Sequence, residues 1–367
     1  MSKEVCSKMK FNQDELARAA KVLALLIEKT NTIPILSHVC IRVADNQATL
    51  IATNLDQQAA IVIPCEGDDC SFTVSGDKLA AVTSAAKSGD FTMELADGFV
   101  TAKSGRSKWK LPTLKAIDFP VLSNDIDGAA FAIDSERLRD VYGNVMPAIS
   151  TEETRYYLNG ICAHGEEGKL KLAATTGNVL SAILCGDIDY DGPRIIIPRA
   201  NIAQIIKMMA NYNGPVTVTV GNAKVSYSYG NVTLSTKTID GDFPDYMRVI
   251  PAYNDKIVKF EKSNLAGAIK RVTILADEKT KSVTLDIDKD RITINVTASD
   301  GGIATEEVPI TYDGEDIKYR CNGVYLLQQI EAAGNEVHMA FRDTASPVML
   351  TSPDNSGYVG VLMGMRI

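Results

Sequence analysis

Asp187-Ile188-Asp189-Tyr190-Asp191-Gly192 opens like a calcium loop, where carboxylates at alternate positions converge on a hard cation and a glycine makes the turn. Such a loop closes with a bidentate Glu at its twelfth position, and that position holds Pro198. A second acidic run, Asp286-Ile287-Asp288-Lys289-Asp290, has Arg291 where the glycine belongs. Both are read as acidic hairpin or linker turns. Gly165-Glu166-Glu167-Gly168-Lys169 resembles a shortened phosphate loop but lacks the four-residue spacer and the hydroxyl residue after the lysine, so it too reads as a hairpin turn. Seven cysteines (6, 40, 65, 70, 162, 185, 321) form no Cys-x-x-Cys pair and lie in apolar stretches, as reduced, buried thiols do. His38, His164 and His338 are far apart on strand-like segments and read as structural. No serine elbow or His-Glu-x-x-His helix occurs. No catalytic residue, metal site or cofactor is assigned. The rival reading is a multidomain α+β metal-dependent hydrolase whose Asp residues converge only in three dimensions.

The elements that would carry these residues repeat. Asp118-Phe119-Pro120 recurs as Asp242-Phe243-Pro244, 124 residues later. A helix-like stretch (77–87) and two strand-like stretches (91–95, 99–109) precede the first copy. A similar set (199–211, 216–220, 224–234) precedes the second, and 323–333, 337–341 and 348–351 form a third version at the end of the chain. The period is too long for a solenoid unit and suits a whole domain. The fold class is therefore α+β, with three tandem domains at 9–125, 126–252 and 253–367. Helices are expected at 13–29, 76–88, 134–147, 199–212, 262–275 and 323–333, from apolar stripes such as Leu16, Ala19, Ala20, Leu23 and Leu26. Short strands joined by turns such as Asp97-Gly98 and Gly230-Asn231 fill the rest.

The 367-residue chain is 45% hydrophobic and 23% charged, which is globular in type. No apolar run reaches membrane-spanning length and the N-terminus lacks a signal-peptide core, so a cytoplasmic location is expected. A net charge of −8 argues against a conventional basic nucleic-acid binder. The six expected helices, however, hold twelve Lys/Arg and eight Asp/Glu. Basic helices on an acidic body suit a polyanion held on one face, although charges also decorate ordinary solvated faces.

Arg155-Tyr156-Tyr157-Leu158-Asn159-Gly160 is distinctive. Taken in order with Thr32-Ile33-Pro34-Ile35-Leu36, Ser104-Gly105-Arg106-Ser107, Ala174-Thr175-Thr176-Gly177, Asp242-Phe243-Pro244-Asp245-Tyr246 and Met363-Gly364-Met365-Arg366-Ile367, it resembles the bacterial DNA polymerase III beta subunits, the replication sliding clamps. The resemblance runs from about Met9 to the last residue. It implies three domains, each two helices packed on antiparallel sheets, and a head-to-tail homodimeric ring with the helices lining the hole. It implies no catalysis but processivity, with double-stranded DNA encircled without sequence specificity.

For ring closure the resemblance implies Trp109 and Leu111 on one edge, and Ile274 and Leu275 on the other. For DNA it implies Arg155, Tyr156 and Tyr157, beside a basic lining from Arg18, Lys21, Lys29, Arg137, Arg139, Lys207 and Lys270. A peptide pocket for short linear motifs of the replicative polymerase, clamp loader and repair proteins would use Leu158, Thr175, Gly177, Leu180, Pro244, Arg248, Val249, Asn322, Tyr325, Val361, Leu362, Met363 and Met365. The chain departs from the family pattern at Thr30, at Thr151-Glu152, at Asn178-Val179 (commonly His-Arg) and at Gly364 (commonly Pro). A less basic pocket with a looser lip and an altered motif preference is expected from these changes.

Overall fold

The computed structural model describes residues 7–27, 32–123 and 126–365. Among them are six α-helices: α1 Gln13–Ala24, α2 Gly76–Ala85, α3 Ser135–Val145, α4 Arg199–Met208, α5 Lys262–Val272 and α6 Gly323–Ala333. Each stands where the apolar period placed it, and α1 to α5 end earlier than the period alone suggests. α1 shows how a helix of this chain is bounded. The Asn12 side chain accepts from the Glu15 N–H at 3.1 Å, Asp14 and Glu15 sit in the positive first turn, and Leu16, Ala19, Ala20 and Leu23 are buried. After Ala24 the bonds tighten to three-residue spacing, Leu25 N to Val22 O and Leu26 N to Leu23 O, and the helix stops although Leu26 stays buried. α5 ends likewise, in the 3₁₀ turn Thr273–Leu275.

The chain forms two compact units that cut through the middle repeat: 1–136 with 200–238, and 137–199 with 239–367. Hydrogen bonding explains the cut. In the first unit, the strand Val232–Lys237 of the second repeat pairs with Gln57–Gly67 of the first, Thr236 opposite Gln57. The result is a twelve-stranded antiparallel system that begins at Ser107–Pro112 and ends at Ala129–Asp134. In the second unit, Val179–Asp189 pairs with Tyr358–Leu362 of the third repeat and makes an eight-stranded sheet. A separate four-stranded sheet in that unit has Ile303–Pro309 and Ile317–Asn322 as its edges. Its inner face and α5 and α6 enclose a core that includes Leu265, Ile269, Leu285, Ile294, Tyr319 and Leu326.

The two acidic runs start at strand ends and finish in turns, residues 190–192 in the linker before Ile195–Pro198 and residues 288–290 in the hairpin turn before Arg291–Thr297. Asp187 and Asp189 close the strand Val179–Asp189, and Asp189 pairs with Lys169 at 2.6 Å. Asp286 lies within Ser282–Ile287, facing Lys318 at 3.3 Å and Asn295 Nδ2 at 2.8 Å. Cross-strand partners hold these carboxylates in the ladder. No group of three or more His, Cys, Asp or Glu is arranged to hold a metal ion among the described residues. Burial pushes the Cys65, Cys70 and Cys185 thiols up to about 11 and Cys321 to about 12, so none of them is a ready nucleophile. Cys6 lies outside the described residues.

The repeat is visible at atomic detail in one turn. Thr53 Oγ1 donates to Gln57 O at 2.8 Å and accepts from Leu55 N at 3.1 Å. Exactly 122 positions on, Thr175 Oγ1 donates to Val179 O at 2.8 Å and accepts from Gly177 N at 3.0 Å. Both turns pass through positive φ, +76° at Leu55 and +92° at Gly177, so the first copy carries a leucine where glycine is at ease. Three residues further the copies differ. Gln58 makes two bonds with the backbone of Leu122, from Leu122 N at 2.8 Å and to Leu122 O at 3.0 Å. Its counterpart, Leu180, faces a cavity. Gln58→Ala leaves both Leu122 groups without these partners and is expected to cost about 1–3 kcal/mol in urea unfolding.

Candidate functional site

A cavity of about 280 Å³ is built entirely within the second unit. The pairing of Leu180 with Val361 supplies part of its lining. The 3₁₀ stretch Glu153–Leu158 lends Leu158 and Tyr157, the Thr175–Gly177 turn forms another side, and 244–249 supplies Pro244, Tyr246 and Val249. Met363 stands at its mouth, 42% exposed. The lining is largely apolar, as suits insertion of apolar side chains.

Its charged groups are internally paired. Arg155 donates to both carboxylate oxygens of Glu152, at 2.8 and 2.6 Å, and this pairing holds the Glu152 carboxyl below its usual range. The same guanidinium lies against Gly177, where a Cβ would come within 2.9 Å of it. Asp245 accepts from Arg248 at 2.7 Å. With Asn178 exposed and Val179 buried in its strand, no unpaired arginine lines the cavity among the described residues. The tail beside it is tied rather than loose. Met363 N donates to Asn178 O at 2.9 Å, Met365 N to Arg320 O at 2.7 Å, and Tyr319 Oη to Leu362 O at 3.0 Å. A Cβ at position 364 would meet the Tyr319 ring at 3.1–3.2 Å, so Gly364 permits that close approach.

Of the residues expected in a pocket, Leu158, Thr175, Gly177, Leu180, Pro244, Val249, Val361 and Met363 line this cavity together. Five stand apart from its lining. Leu362 alternates with Val361 and is buried in the C-terminal core. Asn322 caps α6, accepting from Val324 N and Tyr325 N, and Tyr325 packs against the same core. Arg248 is exposed beyond its Asp245 contact, and Met365 joins through its backbone. The expected set omitted Asp245 and Tyr246 and named Asn178 and Val179 only as departures that alter the pocket, and all four line the cavity. Sequence reasoning also assigned Arg155 and Tyr157 to DNA alone, whereas both line the cavity. The Asp-Phe-Pro copy two residues before Tyr246 was the available signal for that segment.

The other expected groups lie elsewhere. Arg18 and Lys21 are exposed on α1, off its buried stripe, and Lys207 is exposed near the end of α4. Lys270 is exposed on α5 and pairs with Glu331 at 2.8 Å. Arg137 and Arg139 are half-buried on α3, Tyr156 is exposed edge-on to Tyr157, and Lys29 lies outside the described residues, as do Thr30, Arg366 and Ile367. Trp109 is half-buried on the edge strand Ser107–Pro112 and stacks on Phe91, with centroids 6.2 Å apart. Leu111 on that strand is buried within the chain itself. Ile274 is 78% exposed and Leu275 43%.

Three family models match consecutive parts of the chain: the DNA polymerase III beta subunit N-terminal domain over 7–123, its central domain over 132–245 and its C-terminal domain over 247–366. The chain belongs to the DNA polymerase III beta subunit family. The beta sliding clamp of Caulobacter vibrioides is 34% identical, covering 98% of this chain and all of that protein, and the Pseudomonas aeruginosa clamp is 28% identical over 97% and 99%. A crystal structure of the C. crescentus clamp, with polyethylene glycol bound at its putative beta-motif tethering region, superposes with a TM-score of 0.92 at 34% identity, covering 99% of each chain. A P. aeruginosa clamp bound to griselimycin gives 0.92 at 27% identity, covering 99% of this chain and 100% of that one. A sliding clamp is a processivity factor and an accessory subunit of DNA polymerase. The hydrolase reading falls with that membership.

Gly177 is the position where cavity and backbone constrain one another most tightly. Gly177→Ala puts a Cβ at positive φ and makes the Arg155 guanidinium tip move aside, and the backbone strain is expected to cost about 1–3 kcal/mol in urea unfolding.

Proposed function

We propose that two copies of this chain close head to tail into a ring around duplex DNA, and that the cavity lined by Leu180 and Val361 receives short linear motifs of the polymerase, clamp loader and repair proteins. The observation that carries the cavity's role is its composition: an apolar lining whose charged neighbours are already paired. Such a site gains from burying apolar anchors and little from ionic contacts. A methionine at the mouth adapts to several partners. The exposed cations Arg18, Lys21, Lys207 and Lys270, with Arg137, Arg139, Arg155, Tyr156, Tyr157 and Lys29, are our candidates for the DNA-facing set. Phosphate contacts of this kind read no sequence. We place the domain boundaries near 125/126 and 252/253 and the protein in the cytoplasm. No helix among the described residues is long and apolar enough to cross a membrane.

For ring closure we pair two of the sheet edges, which are complementary. Ser107–Pro112 presents exposed Lys108 and Lys110 around Trp109, and Ile303–Pro309 presents Glu306 and Glu307, with Ile303 70% exposed. Opposite charges on apposed edges select the heterotypic pairing and disfavour like with like. Arg271, already bonded to Glu306, lies on α5 immediately before the exposed Ile274 and Leu275. Because Leu111 and Trp109 also serve the packing of their own unit, Ile274 is the cleaner probe. Ile274→Asp removes an exposed apolar anchor, so it is expected to weaken the dimer about 30-fold or more while the monomer keeps its fold, checked by circular dichroism; the apparent melting temperature falls only by the lost dimer linkage. Sedimentation should then show a 39.6 kDa species where the parent runs at twice that mass. A variant as dimeric as the parent at nanomolar concentration contradicts this closure.

A further inference from the structure

The cavity wall formed by 244–249 is held from behind by a polar cluster that an apolar pocket does not itself require. Two side chains from neighbouring strands and one from the residue before Ile195–Pro198 reach it. Arg194 Nη2 donates to Pro244 O at 3.3 Å. Lys171, 8% exposed, lies 3.4 Å from Met247 Sδ and 5.9 Å from the centre of the Tyr246 ring, and is paired with Glu166. His164 Nε2 lies 2.8 Å from Tyr246 Oη, with the two rings edge-on at 5.8 Å.

The His164 tautomer follows from its other contact. Nδ1 lies 2.9 Å from the carbonyl oxygen of Gly165, which can only accept, so Nδ1 carries the proton. Nε2 then offers a lone pair, and the Tyr246 hydroxyl donates to it. Tyr246 is itself buried and lines the cavity, and burial raises its hydroxyl well above the ordinary tyrosine value, so it remains a donor. Protonating His164 reverses this bond. The imidazolium becomes the donor, and the tyrosine proton must leave the line between the two groups. A cation also appears beside Lys171 and Arg194, against which Glu166 is the compensating charge; Asp245 and Cys162 complete the titratable neighbours of Tyr246.

We propose that His164 is a positioning residue for the peptide cavity, which holds the Tyr246 wall through a hydrogen bond that only its neutral form can accept. The inference rests on the reading of that cavity as the partner site. Burial, joined by Arg194 and Lys171, pushes His164 below the ordinary histidine value of 6.5, against a smaller opposing effect of the Gly165 bond. A histidine held neutral in the competent state contributes fully above the ordinary value, and its contribution is lost as pH falls from there through the lowered one. Affinity is therefore full near neutrality and declines in the acid range below 6.5. The other two histidines have different partners, His38 with Thr73 and His338 with Glu336.

The test uses the full-length protein and a terminally blocked short peptide of Leu, Phe and Ser, which has no ionisable group of its own. Affinity is measured by calorimetry from pH 7.5 to 5.5, in two buffers of different ionisation enthalpy. The parent is expected to lose about three- to tenfold in affinity over that range, because protonation turns the Tyr246 hydroxyl and sets a cation beside Lys171 and Arg194, and to release protons on binding in the lower half. His164→Gln keeps an acceptor that does not titrate, and Tyr246→Phe keeps the ring without the hydroxyl. Both should bind with flat pH profiles and no proton release, with melting curves confirming folded protein. If either folded variant repeats the parent's decline, or the parent shows none, the positioning role is overturned while the cavity reading stands. If the peptide fails to bind the parent at any pH, both fall together.

Discussion

Leu180 opposite Val361, within the five-residue pairing of Val179–Asp189 with Tyr358–Leu362, is the contact on which the second unit turns. Side chains alternate along a strand, so this register decides two things at once. It sends Val361 to the cavity and Leu362 to the C-terminal core. A slip of one residue would exchange them and lose both. The register is fixed from beneath by a buried polar network. Gln329 on α6 donates to Ser181 Oγ at 2.8 Å and accepts from Tyr358 Oη at 2.8 Å, with all three residues fully buried. A satisfied buried network penalises alternative pairings, because each would strand a polar group away from water.

The same logic operates, with different chemistry, in the first unit. There Thr236 opposite Gln57 fuses the strands of two repeats. The threonine turn that precedes the pairing is duplicated almost bond for bond. Yet Gln58 ties its strand to Leu122, where its counterpart Leu180 lines a cavity. Duplicated architecture and diverged side chains thus explain how one repeat serves two purposes.

The helices were legible because a 3.6-residue apolar period is a local signal, strong enough to place all six. Their ends were less so, since α1 stops through a tightening of backbone bonds while its apolar stripe runs on to Leu26. The fusion of strands from different repeats lay beyond any local pattern, and it is the reason three sequence repeats become two compact units. At the cavity, motif likeness reached Leu158, Thr175, Leu180 and Met363. It held Tyr246 within the Asp-Phe-Pro motif but gave it no place in the cavity, because its contacts with His164 and Lys171 come from 82 and 75 residues away in sequence. The histidine looked merely structural because its partner is visible only in three dimensions. Asn322 and Tyr325, expected at the pocket, also cap α6 and pack against the C-terminal core, respectively.

These interactions converge on a protein that acts by enclosure rather than chemistry. Its hold on DNA should then depend on the topology of the DNA as well as on charge. The most direct measurement loads the protein, with its clamp loader and ATP, onto a nicked circular duplex and follows what remains bound in moderate salt before and after one restriction cut. Retention on the circle and loss from the linear form is the predicted result. Equal retention on both, or equal loss from both, would contradict it.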